Sequence, residues 1–509
     1  MTSRHSAERG ELAIVLHSHM PYVEGFGTWP FGEEWLLEAI ASSYLPLLRV
    51  LEGAAERGGQ AVATVGITPV LADQLTVPEL GERFLRFMRD VRRECHRQDA
   101  EGLDAAGRHD DARSLRRSAD DYEWAAEDFE RRGGDLLGPL RRLRDAGAIE
   151  LWGSAATHAV LPMLATEQGV RLQVATGIGA HRDRFGAWSG GFWLPECAYR
   201  PGIEQPLAAA GVRVFCVDQT GHGDELDQLE PVAAGGDTVA VPIDWQTIAT
   251  VWDERGYPAD AAYRDYHAQT VNGMRAWANG GDAYDHEAAA ARARAHAGDF
   301  VDRVIARADA YRAARGRPAL VVCALDTELL GHWWYEGPQW LEEVIAEAGA
   351  RGLALTTLPA ALARRDPVTR PLAESSWGTQ KDLRTWDSPG VAELVWAARK
   401  AELDLVGALG GASAAGLGEN AGPARRAARE LLALQSSDWS FMTTRGLAGD
   451  YPATRVRNHA SGFEEAISAL RQGMADFRAM RSLDERLRGL APGLDLAPLL
   501  EPLSAWGRD

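Results

Sequence analysis

Hydrophobic positions in this chain form two patterns, short unbroken runs and longer stretches with helical spacing. Leu12–Leu16, Ala61–Ile67, Ala148–Trp152, Gly191–Leu194, Val212–Val217, Thr247–Trp252, Ala319–Leu325 and Leu353–Thr356 are runs of strand length. Glu34–Leu51 and Asp285–Ala314 carry their apolar residues at helical intervals. A strand, a helix and a second strand in close succession predict βαβ units and a parallel sheet. Several of the runs end in a polar or charged residue. That is the pattern of a β/α barrel, whose chemistry sits at the C-terminal mouths of its strands.

The pattern also divides the chain. From about Glu79 to Asp145 charges dominate, with apolar residues at helical intervals and almost no proline. This predicts a helical insertion, residues 78–145, in a barrel built from residues 1–77 and 146–365. After about Arg365 the spacing becomes helical again, at Val391–Leu409, Pro423–Gln435 and Ala460–Arg488. These predict a C-terminal all-helical domain, residues 366–509, with Gly410–Gly422 as a flexible loop.

Composition narrows the function. At 509 residues and 46% hydrophobic, the chain can bury a core for two or three domains. A formal net charge of −19 argues against nucleic acid, whose phosphates would be repelled, whereas a neutral polymer is indifferent to it. Cys95, Cys197, Cys216 and Cys323 are far apart with no CxxC spacing, which predicts reduced thiols in a cytoplasmic protein. No apolar run reaches the ~18 residues that span a membrane. The polar start, Met1–Glu11, and the short Leu12–Leu16 run do not make a signal segment. A soluble protein without a membrane or nucleic-acid partner is expected; oligomeric state is not readable.

The candidate chemistry centres on Cys323–Trp340. An apolar run here gives way to Asp326, Glu328, Gly331, His332 and four aromatics. Unpaired carboxylates and clustered indoles make a poor core. They suit a sugar, whose ring faces stack on aromatics while its hydroxyls need charged or amide partners. The 17 tryptophans against 12 phenylalanines point the same way. Glu196 and Asp326 each follow an apolar run, so in a barrel they would share one mouth. Two carboxylates ~5–5.5 Å apart there would make a retaining glycosidic site, one the nucleophile and the other the acid/base. The alternative is a pair of capping or salt-bridged loop acids, and spacing does not choose between Asp326 and Glu328. His17, His19, His158 and His332 also follow predicted strands, either to bind sugar hydroxyls or, three of them with Asp326, to hold a metal. Trp252, Trp333, Trp334, Trp377 and Trp386 are stacking or core positions.

Five motifs in order carry a resemblance. Leu-His-Ser-His-Met-Pro-Tyr, Trp-Gly-Ser-Ala-Ala-Thr-His, Gly-Phe-Trp-Leu-Pro-Glu-Cys-Ala-Tyr-Arg-Pro, Asp-Thr-Glu-Leu-Leu-Gly-His-Trp-Trp-Tyr-Glu-Gly and Ser-Ser-Asp-Trp-Ser-Phe resemble the sequence regions of glycoside hydrolase family 57. The likeness is greatest to its 1,4-α-glucan branching members and runs from about residue 11 to residue 480. It implies a (β/α)7 barrel with a helical insertion and a C-terminal helical domain. It implies Glu196 as nucleophile and Asp326, over Glu328, as general acid/base. His17, His19 and His158 match sugar-contacting positions, and Trp252, Trp377 and Trp386 match aromatic positions of the donor and acceptor cleft. Asp438 falls in the fifth motif, and His332 in the fourth. No metal or other cofactor is implied. The partners would be an α-1,4-glucan donor and an acceptor glucan, joined through an α-1,6 branch. One departure favours the alternative of an α-glucan hydrolase or 4-α-glucanotransferase. Branching members carry a long loop with a shielding tyrosine where this chain has the short, tyrosine-free Thr220–Asp237. More distant rivals are a non-catalytic glucan-binding protein and a metal-dependent deacetylase.

Overall fold

The structure is a computed structural model describing residues 10–410, 417–472, 487 and 489–500. Residues 1–9, much of the predicted Gly410–Gly422 loop and the end of the predicted Ala460–Arg488 helix lie outside the described residues. The strands are β1 (Gly10–Ser18), β2 (Ala63–Ile67), β3 (Ile149–Ser154), β4 (Gly191–Trp193), β5 (Val214–Val217), β6 (Val232–Gly235), β7 (Thr238–Pro242), β8 (Ala319–Asp326) and β9 (Ala354–Leu355). They form one sheet in the order β6-β7-β5-β4-β3-β2-β1-β8, with β9 also paired to β1. Seven of them, β1 to β5, β7 and β8, run parallel around a (β/α)7 barrel. Between β7 and β8 no ladder forms among the described residues. The gap is spanned by the Asp244 N–H, which donates to Val322 O at 2.9 Å. β1 and β2 are buried along their whole length, which is why both read as continuous apolar runs.

One predicted strand is a helix. Thr247–Trp252 is β-branched and aromatic, yet it forms the helix Trp245–Trp252. Its buried residues Thr247, Ile248 and Val251 fall on one helical face, and tertiary packing overrides propensity. The strand at this place in the barrel is β7, reached through a tight turn at Gly236 and Asp237. Their φ values of 58° and 62° fit the hairpin turn that joins β6 to β7. The Thr220–Asp237 segment is therefore part of the wall. Arg315 bonds Asp224 at 3.3 Å and Asp227 at 3.0 Å, and Arg307 donates to Glu225 O at 2.8 Å.

Helices Leu80–Arg86, Arg93–Ala105, His109–Arg131 and Leu137–Asp145 lie between β2 and β3. After the barrel come Ala392–Leu409, Ala421–Leu434, Ser437–Thr444 and Tyr451–Gln472. These share a core of Leu405, Leu431, Leu432, Phe463 and Ile467, which also takes in Tyr22, Val70 and Ala156 from segments that follow barrel strands. The C-terminal helices are thus fastened to the end of the barrel where the strands finish. No described helix is long and apolar enough to cross a membrane.

Candidate active site

The site is assembled at the C-terminal ends of β1, β3, β4 and β8. Parallel register places His17 of β1 directly beside Asp326 of β8. The side chain of His19, two residues on, points the same way, as the pleat requires. His17 stacks on Trp193 at 4.6 Å and on His158 at 4.8 Å, and His19 stacks on His158 at 4.1 Å. Stacked imidazoles present faces to each other, and their lone pairs do not converge on a point. Among the described residues no three His, Cys, Asp or Glu side chains are placed to hold a metal ion together.

Each imidazole has a different electrostatic state. Both ring nitrogens of His17 lack a protein partner, and burial, then the neighbouring His19, hold its pKa well below the usual value. Burial pulls His19 down too, but Asp438, Glu328 and Glu196 together outweigh it and the net shift is upward. His19 Nε2 lies 3.0 Å from Asp438 Oδ2 and its Nδ1 lies 3.1 Å from Thr68 Oγ1, so the ring donates at both nitrogens when charged. Burial raises Asp438, but the His19 charge and hydrogen bond bring it to about 2. His158 is held low by burial and by the other two rings.

Glu196 sits in the turn after β4 with φ 60° and ψ 20°. Left-handed backbone is uncommon for a residue with a side chain, and it recurs at Cys197 (φ 46°) and His158 (φ 59°). Such strain concentrates where a fold must aim a functional group. The turn is strapped from outside by residues after the barrel: the Trp377 N–H donates to Glu196 O at 2.6 Å, and the Trp377 ring packs on Trp193 at 4.9 Å. Ser437, from the C-terminal helices, donates its hydroxyl to Glu196 Oε1 at 2.8 Å and lies 2.9 Å from His158 Nδ1. A hydroxyl has one proton, so His158 Nδ1–H donates to Ser437 and Ser437 donates to Glu196. His158 Nε2 is left without a protein partner.

Three carboxylates share this space. Burial raises Glu196 to about 8, Ser437 pulling it down and Asp326 pushing it further up. Burial raises Asp326 to about 7 and Glu328 to about 8. Glu328 Oε1 is already engaged by the Tyr44 hydroxyl at 2.6 Å and the His19 N–H at 3.0 Å. Asp326 accepts no hydrogen bond from the described residues. Glu328 is therefore structurally committed, and Asp326 is open to a ligand.

The other expected residues separate from this group. Trp252 is exposed beside Trp333, ring centroids 6.2 Å apart, and His332 adjoins Trp333 at 6.4 Å. No ring contact joins these three to the histidine stack. Trp386 is buried with Val160, Ala198 and Leu383 in a small core. Ser437, Trp193 and Tyr44 were not singled out from the sequence. The first two lie inside quoted motifs, where position beside Asp438 and Glu196 was the available signal.

This chain matches the model of glycosyl hydrolase family 57 over residues 13–367, and that of the 1,4-alpha-glucan branching enzyme C-terminal region over residues 412–495. It is 32% identical to the 1,4-alpha-glucan branching enzyme of Thermococcus kodakarensis, over 94% of this chain and 77% of that one. A Mycobacterium tuberculosis relative, named probable 1,4-alpha-glucan branching enzyme, is 35% identical over 97% of this chain and 99% of its own. The crystal structure of a GH57-type branching enzyme from Pyrococcus horikoshii superposes with a TM-score of 0.91 at 30% identity, covering 97% of each chain. The histidine stack, the strapped glutamate and the open aspartate thus sit in a chain that belongs to glycosyl hydrolase family 57.

Proposed function

We propose that this chain is a 1,4-α-glucan branching enzyme that works by retention, with Glu196 as nucleophile and Asp326 as general acid/base. The observation that carries the reading is the unequal bonding of two half-buried carboxylates at one barrel mouth. The Asp326 charge pushes Glu196 up beyond what burial does, so the pair holds one proton over a range of pH. In the free site Glu196 is the more basic of the two even with the Ser437 hydroxyl donating to it. An arriving anomeric carbon with developing positive charge favours the Glu196 anion. The proton then resides on Asp326.

The Glu196 carboxylate attacks the anomeric carbon of an α-1,4-linked chain as Asp326 protonates the leaving oxygen. The shortened glucan departs and the donor chain stays as an ester on Glu196. Asp326, now a carboxylate, takes the proton from the 6-hydroxyl of an acceptor glucan, whose oxygen displaces Glu196. An α-1,6 branch results, and both carboxylates return to their starting states. Trp193, fully buried against His17, backs the histidine stack, whose members suit the sugar held at the cleaved bond. The named relatives support transfer over hydrolysis, although the Thr220–Asp237 segment has no tyrosine and is tied into the wall. Exclusion of water then falls to the Ser437–Thr444 helix and the Trp377 strap.

Incubation with amylose tests this. One assay counts new reducing ends, and another counts ends released only by an α-1,6-specific debranching enzyme. Most cleaved bonds should reappear as branches. Reducing ends without branches would make the chain a hydrolase.

A further inference from the structure

A cavity of about 970 Å³ lies between the helical insertion and the barrel, and none of the catalytic group lines it. Its size is in the upper part of the ~300–1,000 Å³ range of ligand sites. Charge on the wall is self-compensating. Arg92 pairs with both Glu34 and Glu38, the Glu38 carboxylate also accepts from Tyr122 at 3.0 Å, and arginines and carboxylates occur in near-equal number. An ionic ligand would have to break these pairs.

Two neutral groups on the wall are also left with bonding capacity to spare. His96 Nδ1–H donates to Arg92 O at 2.7 Å and burial keeps the ring neutral, which leaves Nε2 as an acceptor. Burial and Arg275 bring His332 down to about 4, and its ring makes no hydrogen bond to the described residues. Indole faces complete the wall, with Trp124 within it and Trp29, 67% exposed, at its edge. Neutral acceptors between aromatic faces suit a sugar chain. A second observation is independent of chemistry. The two π-helical turns among the described residues, Ile40–Tyr44 and Phe87–Arg92, both border this cavity through Ala41, Ser42 and Arg92. Such turns recur at functional sites.

We infer that this cavity binds the acceptor α-glucan, the chain that receives the branch. The inference rests on the branching reading, which needs two chains at once. The donor is held over Glu196, on the side of β4 and the C-terminal helices. The connection out of β8 runs from Asp326, which activates the acceptor, through Glu328 to His332 on the cavity wall. Chain continuity thus joins the cavity wall to the carboxylate that activates the acceptor.

The test uses His96→Ala and Trp124→Ala in the full chain, with amylose as substrate, and reads branches formed per bond cleaved. Loss of one good contact to the acceptor should lower that ratio about tenfold, the equivalent of ~1.4 kcal/mol. The ratio is internal to molecules that fold, so partial destabilisation does not imitate the effect. An unchanged ratio in both variants overturns the proposal. If the parent chain itself makes no branches, the branching reading fails, and the cavity is judged by binding. Maltoheptaose is then titrated into Glu196→Gln and into Glu196→Gln/His96→Ala/Trp124→Ala. Weaker binding in the triple variant keeps a glucan site there, and equal affinity and stoichiometry remove it.

Discussion

Two regions of this molecule bury charge, and they treat it in opposite ways. In the C-terminal helices Glu430 accepts from Arg426 Nε at 3.1 Å and lies 2.7 Å from His459 Nδ1. His459 Nε2 in turn meets Arg455 at 2.8 Å, and Arg455 donates to Tyr451 at 2.8 Å and lies over the Phe26 ring at 3.6 Å. Gly462 makes room for this arrangement: a Cβ there would come within 2.1 Å of Glu430 Oε1. At the barrel mouth, by contrast, both nitrogens of His17 and Nε2 of His158 have no partner among the described residues, and no described residue donates to the Asp326 carboxylate. The same burial is a structural bond in one place and stored reactivity in the other. What separates them is whether the protein or the substrate supplies the last partner.

Neutralising the reactive pair should have the largest effect. Glu196→Gln or Asp326→Asn is expected to lower branching by on the order of 10³-fold or more while the fold persists. Full activity in either variant, measured on amylose, would sink the assignment. The paired network should respond in stability. Glu430→Ala strands His459 and its arginine neighbours in the core, at a cost of roughly 3–5 kcal/mol in denaturant unfolding. Gly462→Ala should cost less, about 1–3 kcal/mol, because a methyl group must displace the Glu430 carboxylate. If Glu430→Ala melts like the parent, the network is not the structural bond described.

The two regions were unequally legible in the sequence. Glu196 and Asp326 stood out because a charged residue directly after a buried run has few structural uses, and β4, and β8 as far as Leu325, are buried throughout. The Glu430 network gave no such signal. Its members sit at helical spacing among other charges and look like a solvated face until tertiary packing covers them. Propensity misled at Thr247–Trp252, where β-branched residues form a helix and the barrel strand is Thr238–Pro242. His332 falls in the fourth motif and Trp386 at a position that the resemblance assigns to the cleft, which groups both with the proposed catalytic residues. The path of the chain then carries His332 to another cavity and Trp386 into an apolar cluster. Ser437 needed the contact between the C-terminal helices and the turn after β4, which no single sequence displays.

Ser437 tests how far the reactive region depends on its one donor. Ser437→Ala removes a hydrogen bond that favours ionised Glu196, so the Glu196 pKa should rise. Activity is expected to form a bell, its alkaline limb requiring the shared proton on Asp326 and its acid limb requiring ionised Glu196. The acid limb should move to higher pH in Ser437→Ala, with kcat near the optimum down roughly tenfold. A uniform loss at every pH would mean that Ser437 only shapes the pocket.

The smallest effect separates the two regions by pH alone. Burial lifts Glu196 to about 8, Asp326 to about 7 and Glu328 to about 8, against unfolded values near 4. A folded pKa above the unfolded one means the folded state binds protons more tightly. The stability this contributes is full below the unfolded pKa and is lost as pH rises through the folded values. Melting temperature should therefore fall as pH rises from about 4 and level off above about 8.5. Asp438, held near 2 by its bond to His19, stays ionised throughout and adds no slope through its own titration. Glu34, raised by burial to about 7, adds to the fall from outside the site. The comparison that isolates the catalytic pair is thus Glu196→Gln/Asp326→Asn against the parent. The double variant should lose part of the slope and melt higher at pH 8.5, stable and inactive together. Equal slopes would mean that these carboxylates do not titrate there, and the one-proton pair on which retention has been argued would have no thermodynamic trace.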